Sequence, residues 1–215
     1  GSPDQILLAA IAGAGDQPIE RAAAIQKSGL GAGQADESLA RLLESTQAVA
    51  LEAWLISATG WATLTARVRR EVADYHRRFP LRVGLPKEEL KNRIGWPVRP
   101  YSAALKNWEA AGVLQDRGAA VSAAEFEVRL SPEAQLRLDQ AQAALRAKPF
   151  MPPSEAELGL SVEELALLAG HGAIVRLADG VVFDAGAYQD MTDRTVEHVA
   201  QQGKITLAEF RDLFQ

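Results

Sequence analysis

Ile174-Val175-Arg176-Leu177, then Asp179-Gly180, then Val181-Val182-Phe183 is the stretch that decides the fold. Two short β-compatible runs separated by Asp-Gly form a hairpin signature, because both turn positions require a positive φ that Asp and Gly tolerate. Just upstream, Ser161 and Glu164 stand three apart ahead of an apolar run that stops at Gly170. That spacing is a capping box, so a helix over about 162–170 runs into the hairpin.

The same order recurs when the reading moves outward. Ser131-Pro132-Glu133 opens a helix reaching Ala147, Pro149, Pro152 and Pro153 make the most linker-like stretch, and Ser154 caps a short helix. In the middle of the chain a helix over 61–78 carries Leu64, Val68, Val72 and Tyr75 at helical spacing, broken by Phe79-Pro80-Leu81. A short helix follows from Pro86 to near Gly95, then one from Pro100 to Gly112 with Ala103, Ala104, Leu105, Trp108 and Ala111 inward. Val113-Leu114 and Phe126–Leu130 are the expected strands around a turn near Gly118. Nearer the N-terminus, Asp4 is the expected cap of a first helix ended by Gly13 and Gly15. Pro18 is the expected start of a second, running to Gly29. A third, about 35–45, puts Leu39, Leu42 and Leu43 on one face, and 48–56 reads as one strand or a pair. After the deciding hairpin, a helix over about 186–202 and a capping box at Thr206 and Glu209 begin the pattern again, and the chain stops.

Two or three helices followed by a hairpin are the grammar of the winged helix, whose last helix before the strands is the usual recognition helix. The expected fold is therefore mainly α with small β-hairpins, built as tandem winged-helix modules. The expected borders are 1–59, 60–130, 131–190, and 191–215 for the start of a fourth module. The bulk numbers agree. At 215 residues, with 47% hydrophobic but only 6% aromatic residues, the chain suits several small modules with thin cores. Cysteine is absent, which excludes disulfides and cysteine-zinc sites and fits a reducing, cytoplasmic setting. No apolar run approaches the roughly 20 residues that span a bilayer. Gly1-Ser2 reads as the remnant of a removed tag, so a longer parent protein is expected.

Two segments carry a family resemblance. Pro80-Leu81-Arg82-Val83-Gly84-Leu85-Pro86-Lys87-Glu88-Glu89-Leu90 is similar to a PLRxGxPKEEL stretch in the C-terminal region of selenocysteine-specific translation elongation factors (SelB). Lys204-Ile205-Thr206-Leu207-Ala208-Glu209-Phe210-Arg211-Asp212 resembles the opening of that family's last winged helix. The first 58 residues add only a compatible pattern. The resemblance implies a C-terminal part of a GTPase that delivers selenocysteyl-tRNA to the ribosome, its winged helices reaching a SECIS hairpin in messenger RNA. It also implies that the main RNA grip lies in a basic TSRKYA-like recognition helix, which this sequence does not contain. GxxxxGK[ST] is absent too, so GTP and Mg are expected in N-terminal domains outside these residues, and no cofactor or catalysis is expected within them.

The net charge of −5 argues against a general nucleic-acid coat, yet residues 61–106 hold eleven Lys or Arg against four Asp or Glu. The candidate RNA-binding residues are Arg67, Arg70, Arg77, Arg78, Arg82, Lys87, Lys91, Arg93, Arg99 and Lys106, within a basic set that also includes Arg69 and His76. Each that meets a phosphate would release counterions and make binding salt-dependent. The competing reading is a solvated face with partners such as Glu71 and Asp74. Ser102, Lys106 and Asn107 lie on the second module's recognition helix, with Tyr101 and Trp108 expected in its core. His76, His171 and His198 fall in separate modules without metal-ligand spacing. Glu88-Glu89 and Glu163-Glu164 sit at helix first turns, where negative charge complements the dipole. The loop 81–86 is expected to connect two helices, Gly84 permitting a tight turn. The alternative reading of the whole is a DNA-binding transcriptional regulator or a protein-interaction scaffold, since the same fold serves both. The neutral to acidic helices at 35–45 and 162–170 disfavour the regulator.

Overall fold

The computed structural model describes residues 1–214, and the chain divides into two compact units, Gly1–Glu127 and Val128–Gln215. In the first unit, α1 (Pro3–Ala12) is followed by β1 (Ile19–Glu20), α2 (Arg21–Ser28), α3 (Ala32–Glu44), β2 (Ala48–Leu51) and β3 (Trp54–Ser57). The order then repeats as α4 (Ala58–Arg78), β4 (Leu85–Pro86), α5 (Lys87–Ile94), α6 (Val98–Ala110), β5 (Leu114–Arg117) and β6 (Ala120–Ala123). Each repeat closes with an antiparallel sheet of three strands, ordered β1-β3-β2 and β4-β6-β5. These are winged-helix folds, mainly α with small sheets.

Two-stranded wings were the expectation, and the third strand is the main departure. Ile19–Glu20 and Leu85–Pro86 are two residues long, too short to show alternation. Pro86 lacks an N–H, but it lies on an outer strand where a missing donor is tolerated. Helix α2 accordingly starts at Arg21, after the strand, and not at Pro18. The cap of α1 is Ser2, in a capping box with Gln5, while Asp4 takes an ion pair from Arg41 at 2.8 Å. The return strand of the second wing is Ala120–Ala123, not 126–130. Gly118, at φ 76°, reverses the chain at once, so pairing resumes two residues later. Phe126 leaves the ladder and stacks on His76 with ring centroids 3.4 Å apart. Val128 and Leu130 pack on the core of the second unit. Ala111 is exposed, whereas Ala103, Ala104, Leu105 and Trp108 are buried as expected.

Gly84 serves a close approach, not a turn. Its φ is not positive, and a Cβ there would lie 2.4 Å from the Val121 carbonyl oxygen, so only glycine lets β4 lie against β6.

One core joins the two repeats of this unit. Leu51 and Ile56 of the first hairpin are buried with Leu64, Val68, Trp108 and Val121 of the second repeat, and Val49, Trp54 and Trp61 pack against them. Trp61 stacks on Trp108 at 5.0 Å, and Trp108 donates from Nε1 to Thr65 Oγ1 at 2.9 Å. A smaller cluster of Leu7, Ile11, Leu39, Leu42 and Leu55 holds the first three helices together.

The second unit runs α7 (Pro132–Ala147), α8 (Glu155–Leu158), α9 (Val162–Gly170), β7 (Ile174–Arg176), β8 (Val182–Asp184), α10 (Ala185–Gln202) and α11 (Leu207–Leu213). The capping boxes at Ser161 and Glu164 and at Thr206 and Glu209 form as read, and Ser154 forms a third with Glu157. The hairpin turns over Asp179 and Gly180, both left-handed at φ 61° and 74°. In place of a third strand, Ser154 makes a single bridge to Val181. The expected borders at 59/60 and 190/191 fall inside α4 and α10, because each long helix starts where the preceding hairpin ends. Among the described residues no helix is long and apolar enough to cross a membrane.

Candidate nucleic-acid interface

Ion pairing sorts the ten candidate cations. Arg67 is structural: it donates to Asp16 Oδ2 at 3.1 Å and to the Ile94 carbonyl at 3.0 Å, tying α4 to the α1–β1 loop and to the end of α5. Trp96 donates to the backbone carbonyl of the same Asp16 at 3.2 Å. Lys87 binds Asp116 at 2.8 Å and lies 4.0 Å from Glu109, clamping the start of α5 to the wing. The Lys87 ammonium and the Gly118 N–H hold the Asp116 carboxyl below its ordinary pKa. Lys91 pairs with Glu88 at 2.5 Å, its side chain only 18% exposed. Arg93 bridges Glu89 at 2.5 Å and Glu71 at 2.6 Å, which raises its pKa further and removes it from the pool of free charge. Arg82 donates to the Tyr75 hydroxyl at 2.9 Å and lies over the Phe79 ring at 4.1 Å.

Five candidates keep accessible charge. Arg70 and Arg99 are exposed and make no hydrogen bond or ion pair among the described residues. Arg77 is 75% exposed and, among the described residues, meets only Asp74, one turn back. Arg78 is exposed and stacks loosely on Phe79 at 5.4 Å. Lys106, also 75% exposed, lies 3.9 Å from Glu52 at the tip of the first hairpin. Arg69, outside the ten, is exposed and borders the groove between α4 and the base of the second wing, with Glu125 on the rim. Asp16, Trp96 and Glu52 were not legible as partners, because their contacts join segments 51 to 80 residues apart in sequence.

On α6 the inward residues are Tyr101 and Trp108, as read. Tyr101 donates to the Lys87 carbonyl at 2.6 Å, and burial raises its phenol pKa. Ser102 turns its hydroxyl back onto the Val98 carbonyl at 3.0 Å. The other recognition-helix positions offer little positive charge. On α3, Asp36 pairs with Arg21 and Arg41 is held by Asp4. On α9, Glu164 is buried at 4% side-chain exposure, and it accepts from Arg137 at 2.6 Å and from the Ser161 N–H at 2.9 Å. The Arg137 hydrogen bond lowers its pKa against the opposing effect of burial.

His76 belongs to the core and not to the basic face. It is 7% exposed, accepts the Ala123 N–H at Nε2 (3.2 Å) and leaves a buried Nδ1 without a partner. Desolvation, and then the Arg117 charge, push its pKa down, so the ring is neutral near pH 7. Among the described residues no group of three or more His, Asp or Glu is placed to hold a metal.

Fold and charge together define a tandem winged-helix protein with one basic long helix. Residues 69–122 match the family model described as elongation factor SelB, winged helix. The matched segment runs from Arg69 in α4 through most of β6, and the resemblance read from Pro80–Leu90 falls inside it. Among solved structures, one similar chain is the mRNA-binding domain of elongation factor SelB from E. coli in complex with SECIS RNA. It has a TM-score of 0.45 and 12% identity, over 57% of this chain and 96% of that one. Comparison with curated proteins gives no match.

Proposed function

We propose that this chain is a non-catalytic, RNA-directed arm from the C-terminal region of a SelB-type elongation factor. The observation that carries the reading is the coincidence of the SelB winged-helix match with the one basic stretch of an otherwise acidic chain. In this reading three winged helices and the start of a fourth lie in series, with borders moved to the starts of α4 and α10. They carry the RNA-gripping end of the protein toward a SECIS hairpin, while the GTPase and selenocysteyl-tRNA are held by the parent protein at the ribosome in the cytoplasm. The work of the arm is geometric: it sets reach and orientation, and it adds a modest electrostatic contact that raises effective concentration. The pattern of ion pairs supports modest affinity, since half of the candidate cations are committed to structure.

Titration of a fluorescently labelled SECIS-type hairpin RNA with the 215-residue chain tests this. Weak binding that falls steeply from about 50 to 200 mM salt is the expected result. Absence of binding at low salt, or tight binding that ignores salt, would overturn it. Preference for duplex DNA over the hairpin would favour the transcriptional regulator.

A further inference from the structure

The recognition helix is where a winged helix ordinarily reads nucleic acid. In residues 1–127 that place is compromised. One flank of α6 is covered by the preceding hairpin, whose Leu51 is buried in one core with Trp108, with Val49 and Trp54 packed alongside. Lys106 has Glu52 beside it, and Glu109 lies near Lys87. Among the candidate cations, that leaves Arg99 as the one on α6 without a partner.

Helix α4 is different. Positions 62, 66, 70, 73 and 77 follow one another along one side of the helix, and all five are exposed. They are Ala62, Ala66, Arg70, Ala73 and Arg77. The side is flat except for two guanidiniums, set seven residues apart and so about 10 Å along the axis. Arg69 flanks them. Of the two acids on this part of the helix, Glu71 is engaged with Arg93, and Asp74 pairs with Arg77 itself through one guanidinium nitrogen, leaving the other donors of that 75%-exposed side chain open to a phosphate. A nucleic-acid duplex carries roughly one charge per 2 Å of its axis, so a 10 Å span faces several phosphates. Arginine forks bind such oxygens bidentately, and alanines let the backbones approach.

We infer that the RNA contact of this unit is the outer side of α4, with Arg70 and Arg77 binding the phosphodiester backbone of a structured RNA, and not the groove-reading side of α6. The inference rests on the RNA-directed reading above and assigns its electrostatic part to one surface. Such a contact carries no base readout: it supplies affinity and fixes orientation.

The test compares the 215-residue chain with two double variants, R70Q/R77Q and R99Q/K106Q, against the same labelled hairpin across a salt series. All four positions are exposed, so thermal melts of the variants should match the parent. R70Q/R77Q is expected to bind about 5–10-fold more weakly and to flatten the slope of log K against log salt by about 2, roughly one for each phosphate that the variant no longer neutralises. R99Q/K106Q should stay within about twofold. The reverse pattern would overturn the assignment to α4 and leave the RNA-directed reading standing. A parent chain that binds no RNA would sink both. Equal binding of a DNA duplex of the same length through Arg70 and Arg77 would replace RNA with nucleic acid in general as the ligand of this surface, and so overturn the inference as stated.

Discussion

If the two repeats of residues 1–127 share one core, a cavity made in the first hairpin must destabilise the second repeat as much as the first. Leu51→Ala is the cleanest probe. Leu51 sits at the end of β2, is 1% exposed, and belongs to the cluster that contains Leu64, Val68 and Trp108. The substitution removes three carbons, worth about 2.4 kcal/mol at ~0.8 kcal/mol per buried methylene. The hairpin is held on both sides, by β1 and by α4 and α6, so collapse is limited and a cavity contribution adds to the transfer loss. Buried Leu→Ala changes cost about 2–5 kcal/mol in all, and about 3 is expected here. Native-state hydrogen exchange reads the outcome helix by helix. For a single cooperative unit, amides of α3 and of α6 that exchange only through full opening should lose the same ~3 kcal/mol of protection. Loss confined to α1–α3 and the first hairpin, with α6 protected as before, would show that the shared cluster does not couple the repeats and would refute the reasoning.

Three further outcomes follow from the geometry. Gly84→Ala places a Cβ 2.4 Å from the Val121 carbonyl oxygen; with backbone on both sides little can yield, and a loss of about 2–3 kcal/mol is expected in urea unfolding. His76 is neutral and buried with a depressed pKa, so the unfolded chain binds the proton more readily. Stability is therefore whole above the unfolded value of 6.5 and falls as pH drops from there through the lower folded value. Thermal melts between pH 5 and 8 should show this slope, and His76→Gln should flatten it. Glu164 has the opposite chemistry and the same sign: its lowered pKa gives stability that is present above 4.5 and lost as pH falls through the folded value. Glu164→Gln weakens the hydrogen bonds from Arg137 and the Ser161 N–H and should cost the second unit about 1–2 kcal/mol near neutral pH in calorimetry.

Local signals in the sequence are strong wherever one residue type does one job. Capping boxes at Ser161 and Thr206 and left-handed glycines such as Gly95 are decided within four residues, and these elements lie where the sequence puts them. Long apolar stripes such as Leu64, Val68 and Val72 are equally plain. What the sequence withholds is pairing at a distance. The strand at Leu85–Pro86 exists only because β6 is there to bond it, and Phe126–Leu130 alternates like a strand yet finds no ladder. The basic face shows the same limit. Lys91, Arg93 and Arg70 look alike in sequence, and only folding shows that Glu88, Glu89 and Glu71 neutralise the first two and leave the third exposed.

At the junctions between repeats no linker separates a hairpin from the long helix that follows it. Ser57 is the last residue of β3, and its hydroxyl accepts the Gly60 N–H at 3.1 Å as the cap of α4. Asp184 is the last residue of β8, and its carboxylate accepts the N–H groups of Gly186 and Ala187 at 3.0 and 3.2 Å as the cap of α10. A side chain that ends a hairpin and starts a helix leaves no residue between them, so the wing's return strand fixes where the next long helix begins. At the first junction this is reinforced from outside. Gly60 lies so close to the Gly15 carbonyl that a Cβ would come within 2.2 Å, and Arg67, two turns on, is held by Asp16. Helix α4 therefore leaves the first repeat at an angle set by the sheet, the cap and the Arg67–Asp16 pair together. That fixed departure is what allows Arg70 and Arg77, on the same helix, to present charge in one direction relative to the core that the two repeats share.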